Sequence, residues 1–351
     1  MPRRSARADN VGSWLNALTT TPGECAESLG LPPGAPCASH QVASAAASFA
    51  RAHPREPGPE PGPEPGPLLP TAATPAARAV RAAAAALGCG SESCVITHPV
   101  FRQYVVDHAI LPRRALEVEL VSRYKARGPR ASRALLSNHN IDETLVRWAR
   151  VFPFFYPCHF AMMDFERTGD RLATVDLAGV LRGSEPADLG PELGVVRRPC
   201  TCFGCVINTD VSSGTGKHWV AVFVDCRQAP WTVEYFNSTG RPPPRAITAW
   251  MERSRALLER LLAAGAKPGE KTQAEGEKAQ AEGEKPPAAP GEVITVPVTS
   301  VSHQESQTEC GLYALYYIRR RLEGAPYTLF TEKVIPDKAM VEFRTHVFRA
   351  S

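Results

Sequence analysis

Hydrophobic and polar positions follow two different rhythms along the chain. The densest apolar runs, HWVAVFVD (218–225) and WTVEYF (231–236), are rich in β-branched and aromatic residues and flank a short turn region. They predict a β-hairpin. Helical spacing governs the stretches before and after it. Val100, Tyr104 and Val105 share one face, and Leu116, Leu120 and Tyr124 repeat after Pro112, so residues 89–127 read as helical. Ala82 to Ala86 predict the end of a helix before Gly88. Further helices are expected at about 142–150, with Asn140 or Asp142 as cap, at about 246–262 and at 310–322, with a strand at 293–299.

Two stretches carry no packing rhythm. Residues 55–67 read REPGPEPGPEPGP, which favours extended polyproline geometry, and the stretch from about 266 to 291 contains QAEGEK twice. These divide the chain into a low-complexity, mostly disordered extension over 1–88, a helical arm over 89–130 and an α+β core over 131–351. The core carries a flexible insertion at about 266–291.

Charge and composition narrow the function classes. With 40 Lys+Arg against 36 Asp+Glu, the net charge of +4 is too mild for nucleic acid as principal partner. No apolar run reaches the ~18 residues of a membrane span, so no membrane insertion is expected. The basic start MPRRS leads into ADN rather than an apolar segment, unlike a secretory signal. Ten cysteines without such a signal predict a reducing compartment and free thiols, Cys25, Cys37, Cys89 and Cys94 among them.

The hairpin already suggests chemistry. If it pairs without a bulge, with Asp225 opposite Pro230, His218 lies opposite Asn237. The carboxamide then accepts from Nδ1–H of the imidazole and fixes its tautomer. Separately, SQTECGLYAL (306–315) passes from polar residues into an apolar helix, placing Cys310 in the first turn. The unpaired N–H groups there favour a thiolate, the nucleophilic form. Gly311 leaves room for a substrate backbone, and Gln307 offers an amide donor beside the Cys310 N–H as an oxyanion hole. A cysteine with a separate His–Asn pair and an upstream glutamine points to nucleophilic catalysis.

Cys200, Cys202 and Cys205, with Cys226 or His218, invite a zinc reading. Their spacing lacks a second matched pair, so no metal and no other cofactor is expected. Asp164 and Glu166 in MMDFE are read as structural partners or substrate contacts.

His218-Trp219, Asn237 and the segment from Gln307 to Gly311 together resemble the SUMO-specific and adenovirus-type cysteine proteases. Longer segments are similar to the African swine fever virus-type polyprotein-processing proteases: LGCGSESCVITHP (87–99), NIDETLVRWA (140–149), RRPCTCFGCVINTD (197–210), GTGKHWVAVFVD (214–225), EYFNSTGRPP (234–243), QTECGLYALYYIR (307–319) and FRTHVFR (343–349). The resemblance implies a SUMO-protease/adenain-like core behind an N-terminal helical arm. It assigns Cys310 as nucleophile, His218 as general base, Asn237 as its orienting partner and Gln307 as oxyanion donor. By the same analogy Trp219 walls a narrow substrate channel that passes only glycines. The implied partners are viral structural polyproteins cut after Gly-Gly-x, during maturation, in the host cytoplasm at assembly sites and in the virion core. Cellular SUMO proteases carry Asp where this chain has Asn237. Deconjugation of ubiquitin-like modifiers, acetyl transfer on the same fold, and a non-enzymatic scaffold are the competing readings.

Overall fold

A computed structural model describes residues 14–16, 18, 23–54, 69–112, 114–129, 134–189, 194–266 and 292–349. The EPGP and QAEGEK repeats lie outside them. The chain divides into two compact units, 20–130 with 344–351, and 1–19 with 131–343.

The first unit is built on α1 (His40–Ala52), α2 (Pro75–Leu87), α3 (Glu92–Thr97), α4 (Pro99–Asp107) and α5 (Ala115–Arg123). Ser39 caps α1 and Thr74 caps α2, whose first position is Pro75. Ala45 and Ala46 on α1, and Ala83 and Ala84 on α2, are fully buried with Phe49 in one core. Small side chains on both helices let their backbones approach closely. This corrects the expectation that 1–88 is mostly disordered: residues 23–54 and 69–88 are folded. Their alanines lie at core-facing helical positions, whereas a composition count reads them as low complexity.

Two further corrections fall in this unit. Cys25 is bonded to Cys37 and Cys89 to Cys94, so these four are not free thiols. Phe348–Arg349 pairs in parallel with Ala126–Arg127, which places the chain's end here and not in the core. The carboxylate of Glu92, buried, ties the unit together by accepting from the backbone of Cys37 (3.0 Å) and Ala38 (2.7 Å).

The second unit begins with α6 (Asn138–Val151). A capping box starts it: Ser137 accepts from Asn140 N–H while the Asn140 side chain accepts from Ser137 N–H. The helix therefore starts earlier than Asp142. Its sheet comprises β1 (Phe155–Pro157), β2 (Ala161–Met162), β3 (Cys202–Asn208), β4 (Trp219–Asp225), β5 (Trp231–Phe236) and β6 (Val293–Val298). Strand order is β1-β3-β4-β5-β6, with β2 also on β3. The β3–β4 and β4–β5 pairs are antiparallel and the rest parallel.

Helices α7 (Arg245–Ala263) and α8 (Cys310–Leu322) cover opposite faces of this sheet. Phe203 stacks near Trp250 of α7 (5.9 Å), whereas its neighbour Gly204 faces Ile318 of α8. Successive strand residues point to opposite faces. Burial on both faces explains the unbroken apolar runs that made the hairpin visible in the sequence.

Every residue of α8 except Arg320 is buried. Arg321 ties it to the sheet by ion pairs, donating to both oxygens of Glu234 on β5 (2.7 and 2.8 Å) and to Asp225 (3.1 Å). Tyr317 donates to the same Glu234 carboxylate at 2.5 Å. This buried network fixes the helix against the sheet, and with it the position of Cys310 at the helix start.

Candidate active site

His218 immediately precedes β4 and Asn237 immediately follows β5. Their pairing register differs from the one expected from the sequence. Ala221 faces Phe236 and Asp225 faces Thr232, a shift of two residues from the arrangement with Asp225 opposite Pro230. A shift of one would have turned every side chain to the other face, but a shift of two preserves facing. The two side chains therefore still meet, diagonally: Asn237 Oδ1 lies 2.8 Å from His218 Nε2. It is thus Nε2 that engages the carboxamide, not Nδ1, and Nδ1 is left available on the other side of the ring.

The turn from Asn237 to Arg241 holds the carboxamide in place. Asn237 Oδ1 also accepts from the N–H (3.1 Å) and hydroxyl (2.9 Å) of Thr239, and its Nδ2 donates to Tyr235 Oη (3.1 Å) and to the Arg241 carbonyl (3.3 Å). With its oxygen accepting and its nitrogen donating, the amide has one orientation that satisfies all four partners. Gly240 closes the turn at φ +70°, with the Thr299 and Val301 carbonyls 3.2 and 3.3 Å from where a Cβ would sit. No other residue fits both conditions.

The same turn is stitched to the segment leading into α8. His303 N–H (2.7 Å) and Gln304 N–H (3.0 Å) both donate to the Ser238 carbonyl. His303 is itself buried between two backbone groups, its Nδ1 accepting from Ile335 N–H (3.2 Å) and its Nε2 donating to the Phe330 carbonyl (3.1 Å). Burial holds its pKa down to about 4. The elements carrying Asn237 and Cys310 thus share one backbone junction.

Cys310 is buried at the first position of α8, where the backbone amides of Trp219, Gly311 and Cys310 itself each act to lower the thiol pKa. The amide of Trp219 is the next peptide after His218, which brings the thiol beside the histidine-bearing strand. Burial nonetheless outweighs these donors and pushes the thiol pKa up. Burial likewise holds the imidazole of His218 below its ordinary value, against the raising effect of Asn237 and with a lowering contribution from Arg241. Both directions favour neutral thiol and neutral imidazole in the free protein. This differs from the thiolate expected at a helix start, because desolvation of the sulfur exceeds the effect of the helix end.

Gly311 serves a purpose other than the expected one. A Cβ there would lie 3.1 Å from Leu136 Cβ and 3.2 Å from Trp219 Cδ1, so the space above it is filled by the protein and not open to a substrate backbone. Trp219 is buried, its indole N–H donating to the Leu136 carbonyl at 3.1 Å and its ring set edge-on to Phe160. Gln307 lies exposed in the loop three residues before Cys310.

A cleft of about 870 Å³ opens beside Cys310 and Trp219. Leu136, Phe160 and Met162 give it an apolar wall, and the loop from Asn208 to Lys217 forms another side. That loop is shaped by carboxylates. Asp210 accepts from the N–H groups of Val211 (3.0 Å) and Gly216 (3.1 Å) and pairs with Lys217 (2.9 Å), and Asp164 accepts from the N–H and hydroxyl of Ser212 (2.8 Å each). Asp164 is therefore a structural partner, as is Glu166, which pairs with Arg253. The sequence analysis missed Asn208, Asp210 and Leu136. The Asx- and glycine-rich run from Asn208 to Gly216 was the signal that could have found the first two. Cys202 and Cys205 are buried three residues apart on β3 and so project to opposite faces.

A buried cysteine opening a central helix, beside a strand pair that presents a histidine and its amide partner, defines a cysteine-type peptidase. Comparison with known proteins agrees. Residues 205–350 match the Ulp1 protease family, C-terminal catalytic domain. The chain is 45% identical over 263 residues to the SUMO-1 cysteine protease of a Kenyan pig isolate of African swine fever virus, covering 75% of this chain and 84% of that one. It is 23% identical over 239 residues to a putative thiol protease of Acanthamoeba polyphaga mimivirus, covering 68% and 63%. The crystal structure of the African swine fever virus protease superposes with a TM-score of 0.72 at 38% identity, covering 96% of this chain and 99% of that one. The chain belongs to the Ulp1 protease family, together with these African swine fever virus cysteine proteases. Among the described residues, no helix is long and apolar enough to cross a membrane.

Proposed function

We propose that this peptidase processes viral structural polyproteins after Gly-Gly-x sequences, using Cys310, His218 and Asn237 as a triad and Gln307 as an oxyanion donor. The observation that carries the reading is the 2.8 Å contact between Asn237 Oδ1 and His218 Nε2, and the influence of the amide next to His218 on the Cys310 thiol supports it. Asn237 holds the proton on Nε2 and leaves Nδ1 as the base.

Neutral partners set the order of events. His218 Nδ1 takes the proton of Cys310 as the sulfur attacks the scissile carbonyl, and the Cys310 N–H with the Gln307 side chain receives the oxyanion. The imidazolium then protonates the leaving amine, and water hydrolyses the thioester through the same base. Asn237 orients the ring by hydrogen bonding and not by full charge, so imidazolium is stabilised less than it would be by a carboxylate.

Trp219, buried beside Cys310 in the wall of the cleft, supports selection of residues with little or no side chain. The setting is the host cytoplasm at assembly sites and the virion core, where such polyproteins are cut. Similarity to a SUMO-1 cysteine protease favours one second reading, release of a ubiquitin-like modifier from a Gly-Gly tail by the same chemistry. Peptides with Gly-Gly-x and matched Ala-Ala-x, given to the full chain and to Cys310→Ala, test the proposal. Cutting after Gly-Gly-x that depends on Cys310 is expected, and cutting of Ala-Ala-x at an equal rate would overturn the selectivity.

A further inference from the structure

The turn that orients His218 ends in an exposed arginine that makes no ion pair among the described residues. Arg241 accepts from Asn237 Nδ2 through its carbonyl at 3.3 Å, and its backbone is held by the tightly packed Gly240 before it. Prolines at 242–244 follow and stiffen the segment. Lys217, the residue before His218, is committed to Asp210. The turn fixes the backbone of Arg241 next to the carboxamide that orients His218, and the exposed guanidinium, whose charge acts on that imidazole, is free to meet a charge from outside the chain.

Its side of the site follows from the chemistry, and so rests on the peptidase reading above. The large cleft is lined by Cys310 and Trp219 but not by His218, Asn237 or Arg241, so it receives the acyl side of the substrate. The histidine must hand its proton to the departing amine, so the groups clustered about His218 and Asn237 face the leaving-group side. Arg241 belongs to that cluster.

We propose that Arg241 is a specificity-determining residue that binds an acidic side chain on the leaving-group side of the scissile bond, within the first few residues after it. In the free protein the positive charge of Arg241 opposes formation of the imidazolium on His218. A substrate carboxylate on the guanidinium cancels that opposition as the proton moves to the ring. Arginine suits this task because it stays charged and can hold a carboxylate through two parallel N–H bonds.

The test is cleavage of a broad peptide library by the full chain and by Arg241→Gln and Arg241→Glu, with each cut sequence read by mass spectrometry. The acyl-side residues report on Gly-Gly selection, and the leaving-side residues report separately on Arg241, so failure of one is not failure of the other. The wild-type chain should favour Asp or Glu over Lys or Arg on the leaving side by about 1.5- to 5-fold in kcat/KM, the range of an exposed charge pair. Arg241→Gln should erase that preference and Arg241→Glu should reverse it. Added salt should shrink it, since the pair is solvent-exposed. An absent preference in the wild-type chain, or one that persists in Arg241→Gln, overturns the proposal whatever the acyl-side result.

Discussion

Asn237 Oδ1 accepts from His218 Nε2 across the open end of the β4–β5 pair at 2.8 Å, in a register two residues from the simplest one. The contact therefore depends on which face of the sheet the residues share, not on direct opposition. Loss of the carboxamide in Asn237→Ala removes a hydrogen bond that orients the ring, and turnover should fall about 10- to 30-fold for an effect of ~1.5–2 kcal/mol. Steady-state kinetics on a Gly-Gly-x peptide checks it, with KM expected to stay nearly constant.

Asn237→Asp separates orientation from charge. The carboxylate still accepts from Nε2 but favours imidazolium, so it raises the His218 pKa. Because burial holds that pKa below its ordinary value in the wild-type chain, kcat/KM should rise through an acid limb lying below about pH 6.5. In Asn237→Asp the limb should move to higher pH. A pH–rate profile with an unmoved limb would show that His218 is not the group being read.

Gly311→Ala places a methyl against Leu136 and Trp219 in the cleft wall. Sub-ångström displacement of that wall beside the nucleophile should lower kcat/KM by about 10- to 100-fold. Melting of the variant should change little by comparison, which separates misplacement of the wall from loss of the fold.

His303 predicts an acid limit to stability. Its imidazole is neutral in the folded chain down to about pH 4, whereas the unfolded chain takes up the proton near pH 6.5. Between those values the unfolded state binds more protons, so stability is lost as pH falls from about 6.5 to about 4. The full effect is on the order of 3 kcal/mol. Denaturant unfolding of the wild-type chain and of His303→Asn at several pH values should show a shallower acid loss in the variant. Parallel curves would contradict the assignment.

Much of the site was legible because its signals are local. A fully buried hairpin reads as unbroken β-branched and aromatic residues, and a cysteine between polar residues and an apolar helix reads as a helix start. What escaped depends on tertiary packing. The use of Gly311 could not be seen without Leu136, which arrives from a segment more than a hundred residues away. The balance at Cys310 between burial and amide donors is likewise invisible to a rule about helix ends. In the first unit, composition misled: alanines that pack two helices together look the same in a count as alanines in a linker. The pairing of Cys25 with Cys37 and of Cys89 with Cys94 was hidden by an argument from compartment that says nothing of which sulfurs lie together.

The buried network under the nucleophile gives a prediction about stability. Glu234→Ala leaves Arg321 without its main partner in a buried setting, and removal of one member of a buried ion pair costs about 3–5 kcal/mol. Chemical denaturation checks this, and paired replacement of both residues by apolar ones should recover much of the loss.

The most direct test of the triad is covalent capture. A Gly-Gly peptide bearing a vinyl sulfone, incubated with the native chain and mapped by mass spectrometry, reports which of the six free cysteines is the nucleophile. The structure predicts a single adduct on Cys310 that forms far more slowly in His218→Ala. Labelling of Cys158, Cys200, Cys202, Cys205 or Cys226 in its place, or labelling of Cys310 at an undiminished rate without His218, would contradict the account.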